Sequence, residues 1–207
     1  LPIPGHALPG VLTFRDQADI AAMRCLAAAR SRAIVIGGGL LGIEAAYGLA
    51  RAGVPVSLIH LMDRLMERQL DPRAALMLQQ ALAARGIDVV LEAETAAIVG
   101  DERVEGVALK DGRRIDGGMV VFAIGIRPET SLARDAGIPC NRGILVDDGL
   151  ATEVPGVYAI GECAEHRGTV YGLVEPAYAQ AKVLAGCLAG DDSAYEGTVL
   201  ATNLKVS

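Results

Sequence analysis

The chain has 207 residues, a net charge of −6, 52% hydrophobic residues, 3% aromatics and no Trp. That length holds one large domain or two small ones, with a sizeable core rich in Ala, Gly and Val. The acidic balance argues against nucleic acid, because no basic surplus is present to neutralise phosphates.

No apolar run is long enough to span a bilayer and no signal peptide is visible, so a cytoplasmic protein without a membrane partner is expected. Cys25, Cys140, Cys163 and Cys187 lie far apart with no Cys-x-x-Cys pair. Neither a redox dithiol nor a metal site follows from that spacing, and reduced thiols are expected.

The first residues, LPIPGHALPGV, are punctuated by Pro and Gly and read as a connection between elements. The last, ATNLKVS, form an alternating, strand-like run. Both ends suggest a piece of a longer protein. Asp16 to Arg30 has apolar residues at helical spacing, acidic residues early and arginine late, as the helix dipole favours. Ala33 to Gly37 reads as a buried strand, Leu40 to Ala52 as a helix and Val54 to His60 as a second strand. Asp71 caps a helix with Pro72 at its first position, running to about Arg85 before Gly86. Short strands follow at Ile87–Leu91, Thr95–Val99 and Arg103–Leu109. Asp111-Gly112 signals a hairpin turn ahead of Arg114-Ile115 and the strand Met119–Ala123. Beyond Gly125 come a short helix, strands at Gly143–Val146 and within VPGVYAIG, and a closing helix from Glu175 to Leu188. No repeat or flexible linker is evident.

Between the first two strands, Gly37, Gly39 and Gly42 fit Gly-x-Gly-x-x-Gly, with Gly38 extending the run. Gly37 permits the tight turn, Gly39 lets a pyrophosphate approach the backbone, and Gly42 lets helix and strand pack closely. The helix amides from Leu40, Leu41 and Gly42 onward face the phosphates at the positive end of the dipole. Strand, turn, helix and second strand at this spacing make a dinucleotide site. At the end of the second strand an acidic residue would accept ribose hydroxyls of NAD, and basic groups would favour the 2′-phosphate of NADP. Here His60 stands in that place, with Arg64 soon after. An imidazole there can bond a ribose hydroxyl, pair with a phosphate when cationic, or simply face solvent. NADH against NADPH stays open. Glu44, just past the first helical turn, either reaches toward the nicotinamide end or has a structural partner.

Three segments together, IVIGGGLLGIEAAYGLARAGVPVSLIH, VVFAIGIRPET and VPGVYAIGECAE, resemble the flavoprotein reductases of the pyridine nucleotide-disulfide oxidoreductase superfamily. In these a nicotinamide-binding domain is inserted into an FAD-binding domain. LMDRLMERQLD, GECAEHRGTVYGLVEPAYAQAKVLAG and ATNLKVS narrow the resemblance to the flavoprotein portion of NAD(P)H-dependent nitrite reductase large subunits. The electron-transfer subunits of assimilatory nitrate reductases are similar. The resemblance covers nearly the whole chain. It implies an α/β architecture: a Rossmann-like nicotinamide-binding domain joined to a partial FAD-binding domain. By position it places residues 1–15 in the FAD-binding domain, 16–124 in the NAD(P)-binding domain and 125–207 in the C-terminal part of the FAD-binding domain.

The resemblance further implies that Ala123, Ile124 and Gly125 form the strand-end turn approaching the nicotinamide cofactor. Gly161 and Glu162 match the motif whose acidic residue bonds the FAD ribityl chain. The superfamily more often has aspartate there, and glutamate can accept the same hydroxyl bonds. Glu175 and Pro176 open a helix whose positive end would face the flavin ring. The implied activity passes electrons from NAD(P)H through FAD to a metal centre that reduces nitrite, with the hydride chemistry carried by the cofactors. No catalytic acid–base pair or nucleophile is assigned, and Cys163 reads as a buried small residue. The implied partners are NADH or NADPH, the upstream FAD half and downstream metal-centre domains, with a homodimer as an option for covering the incomplete half. A rubredoxin or ferredoxin reductase of the same fold and a non-catalytic NAD(P)H-binding module are the alternatives. The chain by itself is expected to lack activity and not to hold FAD tightly.

Overall fold

In the computed structural model, which describes residues 3–28, 31–201 and 204–206, the chain divides into two units. Unit 1 is Leu1–Gly125 with Asn203–Ser207, and unit 2 is Ile126–Thr202. Arg30 of the first expected helix, Leu1 and Pro2 at the start, and Thr202, Asn203 and Ser207 of the final strand-like run lie outside the described residues.

Unit 1 contains β1 (Val11–Thr13), α1 (Gln17–Ala27), β2 (Ala33–Ile36), α2 (Leu40–Arg51), β3 (Val56–Ile59), α3 (Pro72–Ala83), β4 (Ile87–Val90), β5 (Thr95–Val99), β6 (Gly106–Leu109), β7 (Arg114–Asp116) and β8 (Met119–Phe122). Five of these strands form an all-parallel sheet in the order β1-β8-β2-β3-β4. Its central strands are almost wholly apolar because both faces are covered; the exception, Ser57 of β3, is buried and accepts from Arg32 Nη1 at 2.9 Å. Ala33, Val35, Val56, Leu58, Met119 and Val121 meet Ile43, Ala46 and Leu49 of α2, Leu82 of α3 and Met23 of α1. Ile34, Ile36, Ile59 and Val120 point the other way, onto Ile98, Val107 and Leu109 of the antiparallel sheet β5-β6-β7. The period of two along each strand sorts these residues between the faces. Asp16 caps α1 by accepting from the Asp19 amide, and Asp71 caps α3 by accepting from the Ala74 amide, with Pro72 at the first position.

The described residues 3–15, expected with the FAD-binding portion, sit in unit 1. Val11 lies opposite Val120 in a parallel ladder, the Ile98 amide donates to the Pro4 carbonyl at 2.9 Å, and Leu12 and Phe14 pack on the helical face. A three-residue edge strand directly after a run of prolines and glycines leaves too little periodicity to be read from sequence.

Unit 2 contains α4 (Ser131–Asp135), β9 (Ile144–Val146), a 3₁₀ turn at Gly161–Cys163, β10 (Ala164–His166), β11 (Thr169–Val170) and α5 (Val174–Ala189). β10 is the middle strand, parallel to β9 and antiparallel to β11. The expected strand in VPGVYAIG is absent. The Val157 amide donates to the Val154 carbonyl at 3.1 Å across a Pro155-Gly156 turn, and Tyr158 makes only an isolated bridge to Ala151. Among the described residues no helix is long and apolar enough to cross a membrane.

Candidate functional site

The turn after β2 is shaped by two close backbone approaches. Gly37 has φ +121°, and a Cβ there would lie 2.3 Å from the Ala123 carbonyl oxygen. A Cβ on Gly42 would lie 1.8 Å from the Gly37 carbonyl oxygen, so α2 leaves the turn in a direction only glycine allows. At Gly39 the opposite holds: its Cβ position meets nothing within 4 Å. Gly39 is also the N-cap of α2 and supplies no side-chain cap. The first-turn amides at Leu40, Leu41 and Gly42 are thus without a capping side chain, next to open space. Leu40 packs on the core while Leu41 is exposed. Ala123 donates its amide to the Ile36 carbonyl at 2.9 Å, so the end of β8 is registered beside the turn, and Ile124 is exposed beyond it. Gly125 follows with φ +98°. Gly37 to Gly42 and Ala123 to Gly125, far apart in sequence, share one end of the parallel sheet.

His60 neither faces solvent nor presents a free ring edge. It is 9% exposed, its Nδ1 accepts the Gly38 amide at 3.0 Å, and its Nε2 lies 3.1 Å from Glu67 Oε2. Because Nδ1 accepts, the ring proton belongs to Nε2 and points at the carboxylate. A Cβ on Gly38 would come within 2.6 Å of both the His60 ring and Leu65 Cδ2, which explains the additional glycine. The loop after β3 folds back on the turn, where the Met66 amide donates to the Gly38 carbonyl at 3.0 Å. Arg64 is paired with its neighbour, Nη1 to Asp63 Oδ1 at 3.0 Å. Glu67 carries no sequence signal beyond its position seven residues after His60. Glu44 is half-buried and its Oε1 accepts the Lys205 amide at 3.1 Å, so among the described residues it has a structural partner.

In unit 2, the Gly161 amide donates to Gln180 Oε1 at 2.6 Å, and a Cβ on Gly161 would lie 3.7 Å from Ala177 Cβ. The turn therefore rests on the first turns of α5. Glu162 is exposed and makes no hydrogen bond among the described residues. The N-cap of α5 is Leu173, which offers no capping side chain; Glu175 is exposed and Pro176 buried in the first turn. Gln180 is fully buried and escaped the sequence reading, since a polar residue on a helix looks like a surface one. So did Glu165, a buried carboxylate accepting from Asn141 Nδ2 at 3.0 Å and from the Arg142 and Gly143 amides at 2.8 Å each. Burial pushes that carboxyl up, but the three donors outweigh it and hold it below its ordinary value. Cys163, expected to be buried, is half-buried, and its thiol donates to the Ile160 carbonyl at 3.4 Å. Burial first, and the adjoining Glu162 carboxylate second, push this thiol up, away from a reactive thiolate. The candidate residues thus fall into two groups, one in each unit.

Residues 1–181 match the family described as pyridine nucleotide-disulphide oxidoreductase. The whole chain is 54% identical to a nitrite reductase (NAD(P)H) of Bacillus subtilis (strain 168), covering 26% of it. It is 44% identical to the assimilatory nitrate reductase electron transfer subunit of the same organism, covering 27%. The chain therefore spans about a quarter of the length of these curated relatives. The crystal structure of a ferredoxin reductase for the CYP199A2 system from Rhodopseudomonas palustris matches with a TM-score of 0.91 at 30% identity, over 96% of this chain and 51% of that one. The glycine turn at the end of a parallel sheet and the family match over residues 1–181 agree: the chain belongs to the pyridine nucleotide-disulphide oxidoreductase family, whose members are FAD- and NAD(P)H-binding reductases.

Proposed function

We propose that this chain is the dinucleotide-handling part of an FAD-dependent NAD(P)H oxidoreductase that passes electrons toward nitrite reduction. The observation that carries the proposal is the glycine turn. Open space at Gly39 and a helix start without a capping side chain, beside the end of β8, fit a pyrophosphate and leave the neighbouring strand end for the nicotinamide. The 54% identity to a nitrite reductase supports the direction of electron flow. Residues 16–124, within unit 1, are the NAD(P)-binding domain on this reading, and residues 125–207 contribute to the FAD-binding domain of the longer protein. NAD(P)H and FAD supply the hydride chemistry when bound.

The chain's own residues bind, orient and exclude water. The amides of Leu40, Leu41 and Gly42 hold phosphate, and the backbone of Ala123 to Gly125 limits the approach to the nicotinamide. Glu162, exposed and unengaged, accepts hydroxyl hydrogen bonds from the flavin's ribityl chain. The start of α5 at Glu175 and Pro176 lends its positive end to the flavin. The N-terminal FAD half and downstream metal-centre domains complete the enzyme, and a homodimer remains part of the proposal. A second reading, delivery to a ferredoxin, draws on the likeness to a ferredoxin reductase.

Calorimetric titration of the chain with NADH and with NADPH tests the site. Saturable binding of one or both is expected. Heats no larger than dilution for either would overturn the assignment of the turn as a dinucleotide site.

A further inference from the structure

Resting on the reading of the glycine turn as a dinucleotide site, we propose that Glu67, oriented by His60, supplies the carboxylate that binds the adenosine ribose, and that this makes NADH the coenzyme. A dinucleotide fold needs an acceptor for the ribose hydroxyls where the second strand ends. The residue at that point, His60, has no capacity left for a ligand: Nδ1 takes the Gly38 amide and Nε2 donates to Glu67. The imidazole instead relays the position of the glycine turn to a carboxylate seven residues downstream. That carboxylate is brought back to the strand end because Leu65 is buried at 1% exposure and the Met66 amide is tied to the Gly38 carbonyl.

One oxygen of Glu67, Oε2, is committed to His60; Oε1 makes no hydrogen bond among the described residues, and the side chain keeps 25% of its surface open. A carboxylate with one oxygen fixed and one free suits a hydroxyl donor, and the fixed bond restricts the rotamers that would otherwise have to be ordered on binding. The nearby cation does not offset it. Arg64 Nη1 is 3.0 Å from Asp63 Oδ1, and its Nη2 reaches only the Glu67 carbonyl at 3.5 Å. Arg64 is thus turned toward Asp63, and no guanidinium or ammonium nitrogen pairs with the Glu67 carboxylate among the described residues. A ribose 2′-phosphate placed there meets repulsion, whereas two ribose hydroxyls find an acceptor.

The test uses the full 207-residue chain and two probes carrying only the adenosine end, ADP-ribose and 2′-phospho-ADP-ribose. The unaltered chain is expected to prefer ADP-ribose by about tenfold or more, the scale of one hydrogen bond to a charged group. Glu67→Gln, which can still accept from His60, is expected to weaken ADP-ribose about tenfold and narrow the preference. Glu67→Lys is expected to reverse it, since a repelling carboxylate is replaced by an ammonium that suits a phosphate. Thermal melts of both variants accompany the titrations, because a purely structural Glu67 would lower the melting temperature and leave the ratio of the two affinities unmoved. An unchanged ratio in both variants, with ADP-ribose still bound, overturns this inference and leaves the dinucleotide site standing. Failure of the unaltered chain to bind either probe removes the site and this inference with it.

Discussion

Gly39 and Gly42 stand three residues apart and answer to different constraints. A methyl group on Gly42 runs into the Gly37 carbonyl, which is backbone and cannot swing aside, so α2 must lift away from the turn. Gly42→Ala is expected to lower stability by about 2 kcal/mol or more and to abolish dinucleotide binding. Gly39 has φ −82° and free space at its Cβ position. Gly39→Ala should leave stability within about 0.5 kcal/mol and still weaken binding, because the methyl occupies the approach of the pyrophosphate. Urea denaturation and calorimetric titration of both variants check the pair, and undiminished affinity in Gly39→Ala would move the phosphate away from this turn. The roles of these glycines were legible from the chain because turn, close packing and open approach all lie within a few consecutive residues. The fate of His60 was not. Its two partners, the Gly38 amide and the Glu67 carboxylate, are set by how the loop after β3 folds back, and nothing in the local spacing encodes that return.

The elements divide along the same line. β2 and β8 could be read because unbroken apolar runs mark strands buried on both faces, β3 because only Ser57 interrupts such a run, and α3 because Asp71 and Pro72 announce its start. β10 and β11 could not, since they are short and joined through Arg167-Gly168, a pair without the usual Asn or Asp of a two-residue hairpin. Arg167 adopts φ +49° there, and the hairpin is tied instead by Asp148. Asp148 accepts from Arg167 Nη2 at 2.6 Å and from the buried His166 Nε2 at 2.8 Å, and its backbone carbonyl accepts the Tyr195 amide at 2.7 Å. The Arg167 guanidinium first, and His166 second, lower its carboxyl from 3.8 to about 2. A folded-state value below the ordinary one means that the stabilisation is complete above about pH 4 and is lost as the pH falls toward about 2. Asp148→Asn should therefore melt below the unaltered chain by a constant margin at neutral pH, and the two melting curves should converge in acid. Parallel curves down to about pH 2 would show that the carboxylate's charge has no part in tying the hairpin.

For the molecule as a whole, the family match and the glycine turn place one dinucleotide-binding turn in 207 residues. On the proposed reading, Glu162 and the start of α5 are the groups that would face FAD, and the sequence holds no second Gly-x-Gly-x-x-Gly beside them. Purified under native conditions, the chain is expected to carry well under one equivalent of flavin while still taking up a nicotinamide dinucleotide; the flavin absorbance of the purified protein gives the ratio directly. A full equivalent of flavin would mean that unit 2 alone builds the FAD site. The covering of the parallel sheet, helices on one face and the β5-β6-β7 sheet on the other, has a consequence for timing. β2 lies between β8 and β3, with Ile34 and Val35 wholly screened from solvent. Its amides are expected to exchange with solvent only when the entire unit opens, and those of the exposed Met62 and Asp63 earlier. The glycine turn follows directly from that strand, and His60 and Met66 tie the start of the loop to it through Gly38, so the turn and the Glu67 carboxylate are expected to open together.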